Sequence, residues 1–145
     1  MYRFLICIAL VSIVNNSHGK DLSQDPVHYE FCIYLSASIQ TSYKYEAQGE
    51  PKVAEVMREV AAKATSEKMV NEAIIPFYEK SLDFLPMMYT GKLFVQACRF
   101  NQLNPYHAEI LAPAIKKTCL DSGTFEQHKY ETCLVAISST YFREL

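Results

Sequence analysis

The sequence predicts an all-α fold, a small bundle of five to six helices stapled by two disulfides. Apolar residues recur at the three- and four-residue spacing of amphipathic helices, and no alternating pattern longer than about four residues indicates a strand. Glycine and proline are sparse and stand mostly between the apolar segments, as is typical of a helical protein. Four cysteines follow a hydrophobic leader, and an even number in an exported chain favours disulfides.

Residues 1–19 have the features of a cleavable export signal. Met1–Arg3 is short and basic, Phe4–Val14 is almost uninterruptedly apolar, and Ser17 and Gly19 suit the small-residue positions before a cleavage site. An apolar run this short falls below the roughly 20 residues that a spanning helix needs. We therefore expect cleavage after Gly19, a single mature domain over residues 20–145, and a periplasmic or secreted location.

Proline, glycine and a capping aspartate bound the first two predicted helices. Asp25 followed by Pro26 is typical of a helix start, and Gly49 is expected to end the first helix. The second helix begins at Pro51 and has the clearest amphipathic pattern in the chain. The predicted apolar stripes are His28, Cys32, Leu35, Ile39 and Tyr43 in the first helix, and Val53, Val56, Met57, Val60, Ala61 and Ala64 in the second.

A third helix is expected to start at Thr65 or Ser66 and to be kinked or broken over residues 72–75. Pro76 causes the break, because proline lacks an amide donor and clashes with the preceding turn. Pro86 closes this segment, and a shorter fourth helix is expected from about Gly91 to Phe100. The predicted stripes are Val70, Ile74, Phe77, Tyr78, Leu82 and Leu85 in the third helix, and Leu93, Phe94, Ala97 and Cys98 in the fourth.

Two further helices complete the bundle. Pro105 opens the fifth helix, Pro113 should kink or interrupt it, and Thr124 with Gln127 resembles a capping box at the start of the last helix. The predicted stripes are Ile110, Leu111, Ala114 and Ile115 in the fifth helix, and Tyr130, Cys133, Leu134, Ile137 and Tyr141 in the last.

The cysteine pairing stays open at this point, because four cysteines allow three connectivities. We favour Cys32–Cys98, which would clasp the first four helices together, and Cys119–Cys133, which would join the last two. A tight hairpin centred on Gly123 fits the second pair poorly, since it would set Cys119 opposite position 127. Metal binding is disfavoured, because we identify no C-x-x-C pair and no histidine at ligand spacing from a cysteine. We therefore predict no metal and no cofactor.

Charge and motifs exclude several function classes. The whole chain has 14 basic and 16 acidic residues, and only Arg3 is lost with the leader, so no basic footprint for nucleic acid exists. No second apolar run is long enough to span a membrane. No G-x-S-x-G or H-E-x-x-H motif occurs, and nothing marks a nucleophile beside His28, His107 or His128. We predict no catalytic residue and no enzyme.

An early and a distant helix cysteine bracket a segment that contains a mid-chain glycine and tyrosines. The markers, between Tyr29 and Phe100, are Cys32, Tyr43, Gly49, Tyr78 and Cys98. In this pattern the chain resembles the small helical periplasmic immunity proteins that neutralise cell-wall amidases delivered by type VI secretion. The extension with Cys119 and Cys133 departs from the pattern, and no inhibitory motif aligns, so no inhibitory residue is carried over. The resemblance implies a periplasmic protein with a secreted toxin or cell-wall hydrolase as partner.

The favoured hypothesis is an exported binding protein of the immunity or inhibitor kind, which occludes a partner protein without chemistry of its own. The alternative is an exported helical ligand carrier or chaperone that holds a lipid or an unfolded chain; a secreted hydrolase of unfamiliar type ranks third. A homodimer would be natural for an apolar-faced helical protein of this size. The candidate contact residues, in two turns with exposed-looking aromatic residues, are Met87, Met88, Tyr89, Asn101, Gln102, Asn104, Tyr106 and His107.

Overall fold

The structure, a computed structural model, describes residues 21–121 and 127–145. Within these ranges the chain forms six helices and no strand, which confirms the predicted all-α, disulfide-stapled bundle. The predicted leader and the capping residue Thr124 lie outside the described residues. The helices are α1 (Pro26–Ala47), α2 (Pro51–Ala64), α3 (Glu67–Met69, Val70–Ile74 and Ile75–Leu82 in succession), α4 (Met87–Arg99), α5 (Pro105–Ile115, continued by Lys116–Leu120) and α6 (Gln127–Arg143).

A short 3₁₀ turn, Leu22–Gln24, precedes α1, whose two ends match the sequence signals. The Asp25 carboxylate accepts hydrogen bonds from the backbone amides of Val27 and His28, at 2.9 and 3.4 Å. Gly49 has a φ of 78°, the left-handed conformation that ends helices and favours glycine. No helix in the described ranges combines the length and the hydropathy that crossing a membrane requires.

The predicted apolar face of α2 is only partly the buried one. This helix packs along α1, and its buried residues are Ala54 and Ala61. Val53 and Val56 are exposed, with 36% and 54% of their surface accessible. Because alanines allow closer approach of two helices than valines do, the contact with α1 is made on the alanine side.

Proline interrupts α3 as predicted. A π-helical turn, Val70–Ile74, comes directly before the α-helical segment Ile75–Leu82 that contains Pro76. Since Pro76 has no amide donor, the preceding turn lacks one of its ordinary hydrogen bonds, and the wider π-turn accommodates the ring. A second π-turn, Lys116–Leu120, follows Pro113 in α5.

The predicted start of α4 at Gly91 is wrong. The helix begins at Met87, so Met87, Met88 and Tyr89 are helical and do not form a connection. Gly91 is a packing residue: a Cβ atom at this position would lie 2.8 Å from the Gln40 Cδ and 3.3 Å from the Ser36 Oγ, both on α1. The glycine therefore marks a close approach between α1 and α4, where the sequence pattern indicated the start of a helix.

The core is built from one face of each helix and is closed by two disulfides. Among the described residues, Phe77, Tyr78 and Phe94 are the largest fully buried side chains, and the Tyr78 and Phe94 ring centres lie 4.9 Å apart. The favoured cysteine pairing is confirmed: the Cα atoms are 5.7 Å apart in Cys32–Cys98 and 5.8 Å apart in Cys119–Cys133. Cys133 reaches its partner from the second turn of α6, so α5 and α6 do not meet in the tight hairpin considered from the sequence.

Candidate functional site

The residues predicted to contact a partner differ in exposure. Met88 and Tyr106 are exposed, with 43% and 60% of their surface accessible. Tyr89 and His107, expected to be exposed, are buried, and the Tyr89 ring packs edge-on against Tyr130 at 6.2 Å. The remaining predicted residues, Met87, Asn101, Gln102 and Asn104, lie at the start of α4 and in the α4–α5 connection.

Several of these residues have clear structural roles. The Asn104 side chain caps α5 by accepting a hydrogen bond from the Tyr106 amide at 3.0 Å. Asn101 has a φ of 57°, the left-handed conformation in which a chain leaves a helix. The His107 ring lies 2.9 Å from the Tyr141 hydroxyl and edge-on to Phe142, and burial lowers the pKa of His107. The polar turn predicted as a contact surface therefore serves mainly to join α4, α5 and α6.

An open groove with α4 as its floor and α1 and α6 as its walls has a volume of about 770 Å³. We call it the α1/α4/α6 groove. Met88 is the only residue predicted to contact a partner that lines it. The lining residues are Tyr29, Ile33, Ser36, Ala37 and Gln40 from α1, Met88, Gly91, Lys92, Val95 and Gln96 from α4, and His128, Glu131, Thr132, Val135 and Ala136 from α6.

Polarity changes along the groove. Two contacts between each pair of helices give their relative directions. Cys32 is bonded to Cys98 and Ser36 to Gly91, so α1 runs antiparallel to α4. Lys92 pairs with Glu131 and Gln96 with Ser139, so α6 runs parallel to α4. One end is therefore formed by Gln40, Met88 and His128 and is the more polar. The other end is formed mainly by apolar side chains, namely Tyr29, Ile33, Val95, Val135 and Ala136.

A buried hydrogen-bond network holds the groove floor in place. The Tyr78 hydroxyl donates to the Ser36 carbonyl oxygen at 3.1 Å and lies 2.6 Å from the Ser36 Oγ. The Ser36 hydroxyl donates to the Gly91 carbonyl at 3.3 Å, and the Gln40 amide donates to the Ser36 Oγ at the same distance. Burial raises the pKa of Tyr78, so its hydroxyl stays protonated over the ordinary pH range. The floor polar groups are satisfied internally, and the groove is preformed.

An ion pair joins the floor of the groove to its α6 wall. The Lys92 ammonium lies 2.9 Å from the Glu131 carboxylate, and about a third of each side chain is accessible, 36% and 31%.

A smaller cavity of about 370 Å³ lies where α3 begins, beside the α4–α5 connection, and among the predicted contact residues only Asn104 lines it. The larger groove thus combines apolar walls with a few fixed polar groups, the lining that suits noncovalent binding.

A second cluster surrounds the Cys32–Cys98 disulfide. His28 Nε2 lies 3.0 Å from the Cys98 carbonyl oxygen, to which its N–H donates, and 3.8 Å from Cys32 Sγ. In the described residues these three side chains form the one group whose ligand atoms all lie within 4.8 Å of one another. The expectation that no histidine stands at ligand spacing from a cysteine is wrong. His28 and Cys32 are four residues apart on α1, and that spacing was the available signal.

Comparison with known proteins gives no information about the role of either site. The α1/α4/α6 groove and the His28 cluster are therefore interpreted from their own geometry. No protein-family model, no curated protein and no solved structure matches this chain.

Proposed function

We propose that the protein is an exported binding protein of the immunity or inhibitor type, which occludes a partner protein through the α1/α4/α6 groove. The observation that carries this proposal is the preformed groove with exposed apolar walls. Ile33, Met88 and Val135 are 43%, 43% and 37% exposed although they line one continuous depression. Apolar residues that are clustered, accessible and rimmed by polar groups mark interaction sites more often than singly scattered ones do.

The open shape of the groove favours a protein partner. Its wall on α1 extends from Tyr29 to Gln40, about 16 Å at the rise of an α-helix, which is roughly three helical turns. An amphipathic helix in such a groove buries its apolar face and leaves its polar face in water. The small, exposed side chains of Ala37 and Ala136 in the walls allow a partner backbone to approach closely.

Different observations support the proposed export and the proposed class of partner. The two disulfides are compatible with an oxidising compartment outside the cytoplasm. The resemblance of the segment from Tyr29 to Phe100 to periplasmic immunity proteins favours a secreted cell-wall hydrolase as the partner. Binding alone would neutralise such an enzyme by covering its surface, without any chemistry by this chain.

A pair of matched variants tests the role of the groove. Ala37→Arg places a long cation in the groove, whereas Ala47→Arg places the same side chain on an exposed position of the same helix, outside the groove. Tagged mature protein is used to capture partners from native periplasm, and the captured protein is assayed for peptidoglycan amidase activity. We expect one stoichiometric partner, inhibited by the wild type and by Ala47→Arg and released by Ala37→Arg.

The proposal fails if no protein is captured, or if Ala37→Arg binds and inhibits as the wild type does.

A second candidate function, an apolar ligand carrier, is favoured by one observation: the groove volume of about 770 Å³ lies within the range of small-molecule sites. Native mass spectrometry of protein isolated from the periplasm tests it. A lipid bound to the wild type and absent from Ala37→Arg, without a protein partner, would replace occlusion by ligand transport.

A further inference from the structure

We propose that His28, Cys32 and Cys98 form a Zn²⁺ site when the Cys32–Cys98 disulfide is reduced. The three side chains come from two helices: His28 and Cys32 are one turn apart on α1, and Cys98 is in the last turn of α4. Both cysteines are buried, 0% and 3% exposed, and His28 is half-buried at the edge of the cluster. Two thiolates and an imidazole are ligands that Zn²⁺ prefers.

The existing distances need little change to hold the ion. In tetrahedral geometry, Zn–N bonds of about 2.0 Å and Zn–S bonds of about 2.3 Å place the imidazole nitrogen roughly 3.5 Å from a thiolate sulfur. His28 Nε2 and Cys32 Sγ are already 3.8 Å apart. The main movement is the separation of the two sulfur atoms from bonding distance to the roughly 3.8 Å that two thiolates on one Zn²⁺ require.

Zn²⁺ enters the site in two steps, reduction of the disulfide and then displacement of the thiol protons by the ion. A dithiol reductant supplies two electrons and two protons, which convert the disulfide to two thiols while the reductant becomes a disulfide. Zn²⁺ then replaces the two thiol protons. The His28 proton moves from Nε2 to Nδ1, so that Nε2 gives up its hydrogen bond to the Cys98 carbonyl and coordinates the metal. A water molecule takes the fourth position.

Metal and disulfide exclude each other at this site. Oxidation of the two thiolates by a disulfide oxidant removes two electrons, restores the S–S bond and releases Zn²⁺. Burial favours the loaded state over two free thiolates, since the ion neutralises charges that would otherwise be held in a poorly solvated place. Zinc therefore delays the bond that ties α1 to α4 in any chain that meets the ion before it is oxidised.

The test uses mature protein with Cys119→Ser and Cys133→Ser, so that Cys32 and Cys98 are the only thiols left. The protein is reduced with a phosphine and titrated with Zn²⁺ against a chromophoric chelator, and with Co²⁺ for the thiolate charge-transfer and tetrahedral absorption bands. We expect one ion per chain. His28→Ala should weaken Zn²⁺ binding at least tenfold and alter the Co²⁺ spectrum, whereas His128→Ala, a histidine change on α6, should leave both unchanged.

If the reduced chain loses structure, circular dichroism of the same samples still tests the proposal. Zn²⁺ is then expected to restore the helical signal in the chain with His28 and not in His28→Ala, because metal binding and folding are coupled. Absence of binding, or equal affinity with and without His28, overturns the proposal. Neither outcome bears on the groove, whose proposed function belongs to the oxidised protein.

Discussion

At the scale of single residues, the structure shows which tyrosine side chains are buried and which are exposed, a distinction that the sequence does not make. Tyrosine is abundant and spread along the chain, so composition alone does not tell a core tyrosine from a surface one. Tyr89 is buried and Tyr106 is exposed, although both stand near helix starts. The difference comes from α6, whose Tyr130 covers Tyr89, and a contact between segments so far apart leaves no local pattern to detect.

Two stacked tyrosines should differ in how loss of the hydroxyl group changes the free energy of unfolding. The rings of Tyr43 and Tyr78 lie 5.9 Å apart. The Tyr78 hydroxyl is bonded to Ser36, so Tyr78→Phe should lower the free energy of unfolding by about 1–2 kcal/mol. Among the described residues no group bonds to the buried Tyr43 hydroxyl, and burial raises the pKa of Tyr43 to about 12.

Tyr43→Phe should therefore leave the free energy of unfolding unchanged or raise it, because it removes a buried polar atom without a partner. Urea denaturation of both variants beside the wild type measures the two changes. A loss for Tyr43→Phe equal to that for Tyr78→Phe would contradict the assigned network.

His107 should make stability depend on pH in the mildly acidic range. Burial holds the pKa of His107 below the ordinary histidine value of about 6.5, which the unfolded chain retains. The unfolded chain therefore takes up the proton first as the pH falls, so the stabilisation is complete above about pH 6.5 and is lost below it. Urea midpoints at about pH 7.5 and pH 5 should differ more for the wild type than for His107→Gln. His128→Gln, at an exposed position, serves as the control and should keep the wild-type difference.

At the scale of elements, helix boundaries were predictable where proline, aspartate or glycine acts locally. Asp25, Pro51 and Pro105 mark helix starts as predicted, since capping and the missing amide of proline depend only on adjacent residues. Gly91 misled the prediction of α4, because its small size serves a contact with α1 and not a turn. The buried face of α2 was predicted only in part: Ala61 is buried as expected, but the neighbouring helix packs on Ala54 and leaves Val53 and Val56 exposed.

Two residues at helix N-caps should differ in their contribution to stability. The Asp25 carboxylate accepts two backbone amide bonds at the start of α1, so Asp25→Ala should destabilise the protein by about 1 kcal/mol. Glu50 occupies the equivalent position before α2 and makes no capping bond through its side chain. Glu50→Ala should change the free energy of unfolding by less than about 0.5 kcal/mol. Thermal and urea unfolding of the pair measure both values, and equal losses would argue against the capping role of Asp25.

At the scale of the whole molecule, the disulfide connectivity was predictable and the groove was not. Few pairings of four cysteines exist, and the helix assignments favoured one of them. The groove needs α1, α4 and α6 together, and its lining comes from residues separated by most of the chain. The His28 cluster lies between these cases: its i,i+4 half was visible on α1, but its third member depends on the pairing with Cys98.

The two disulfides should contribute unequally to stability. Cys32–Cys98 joins residues 66 apart in sequence, and Cys119–Cys133 joins residues 14 apart. On the chain-entropy account, closing the longer loop stabilises by about 4 kcal/mol and closing the shorter by about 3 kcal/mol. Cys32→Ala with Cys98→Ala should therefore lower the urea midpoint further than Cys119→Ala with Cys133→Ala. The reverse order would show that native packing around the sulfur atoms outweighs loop length.

The two covalent links follow one another along the chain and do not interleave, since Cys98 precedes Cys119. As a polypeptide emerges amino end first, Cys98 and then Cys133 each finds its correct mate as the nearest unpaired member of these four cysteines behind it. An oxidase that joins them strictly in order of appearance arrives at the native arrangement at once. Biogenesis of this protein should accordingly need a donor of oxidising equivalents and no enzyme that reshuffles wrong bonds.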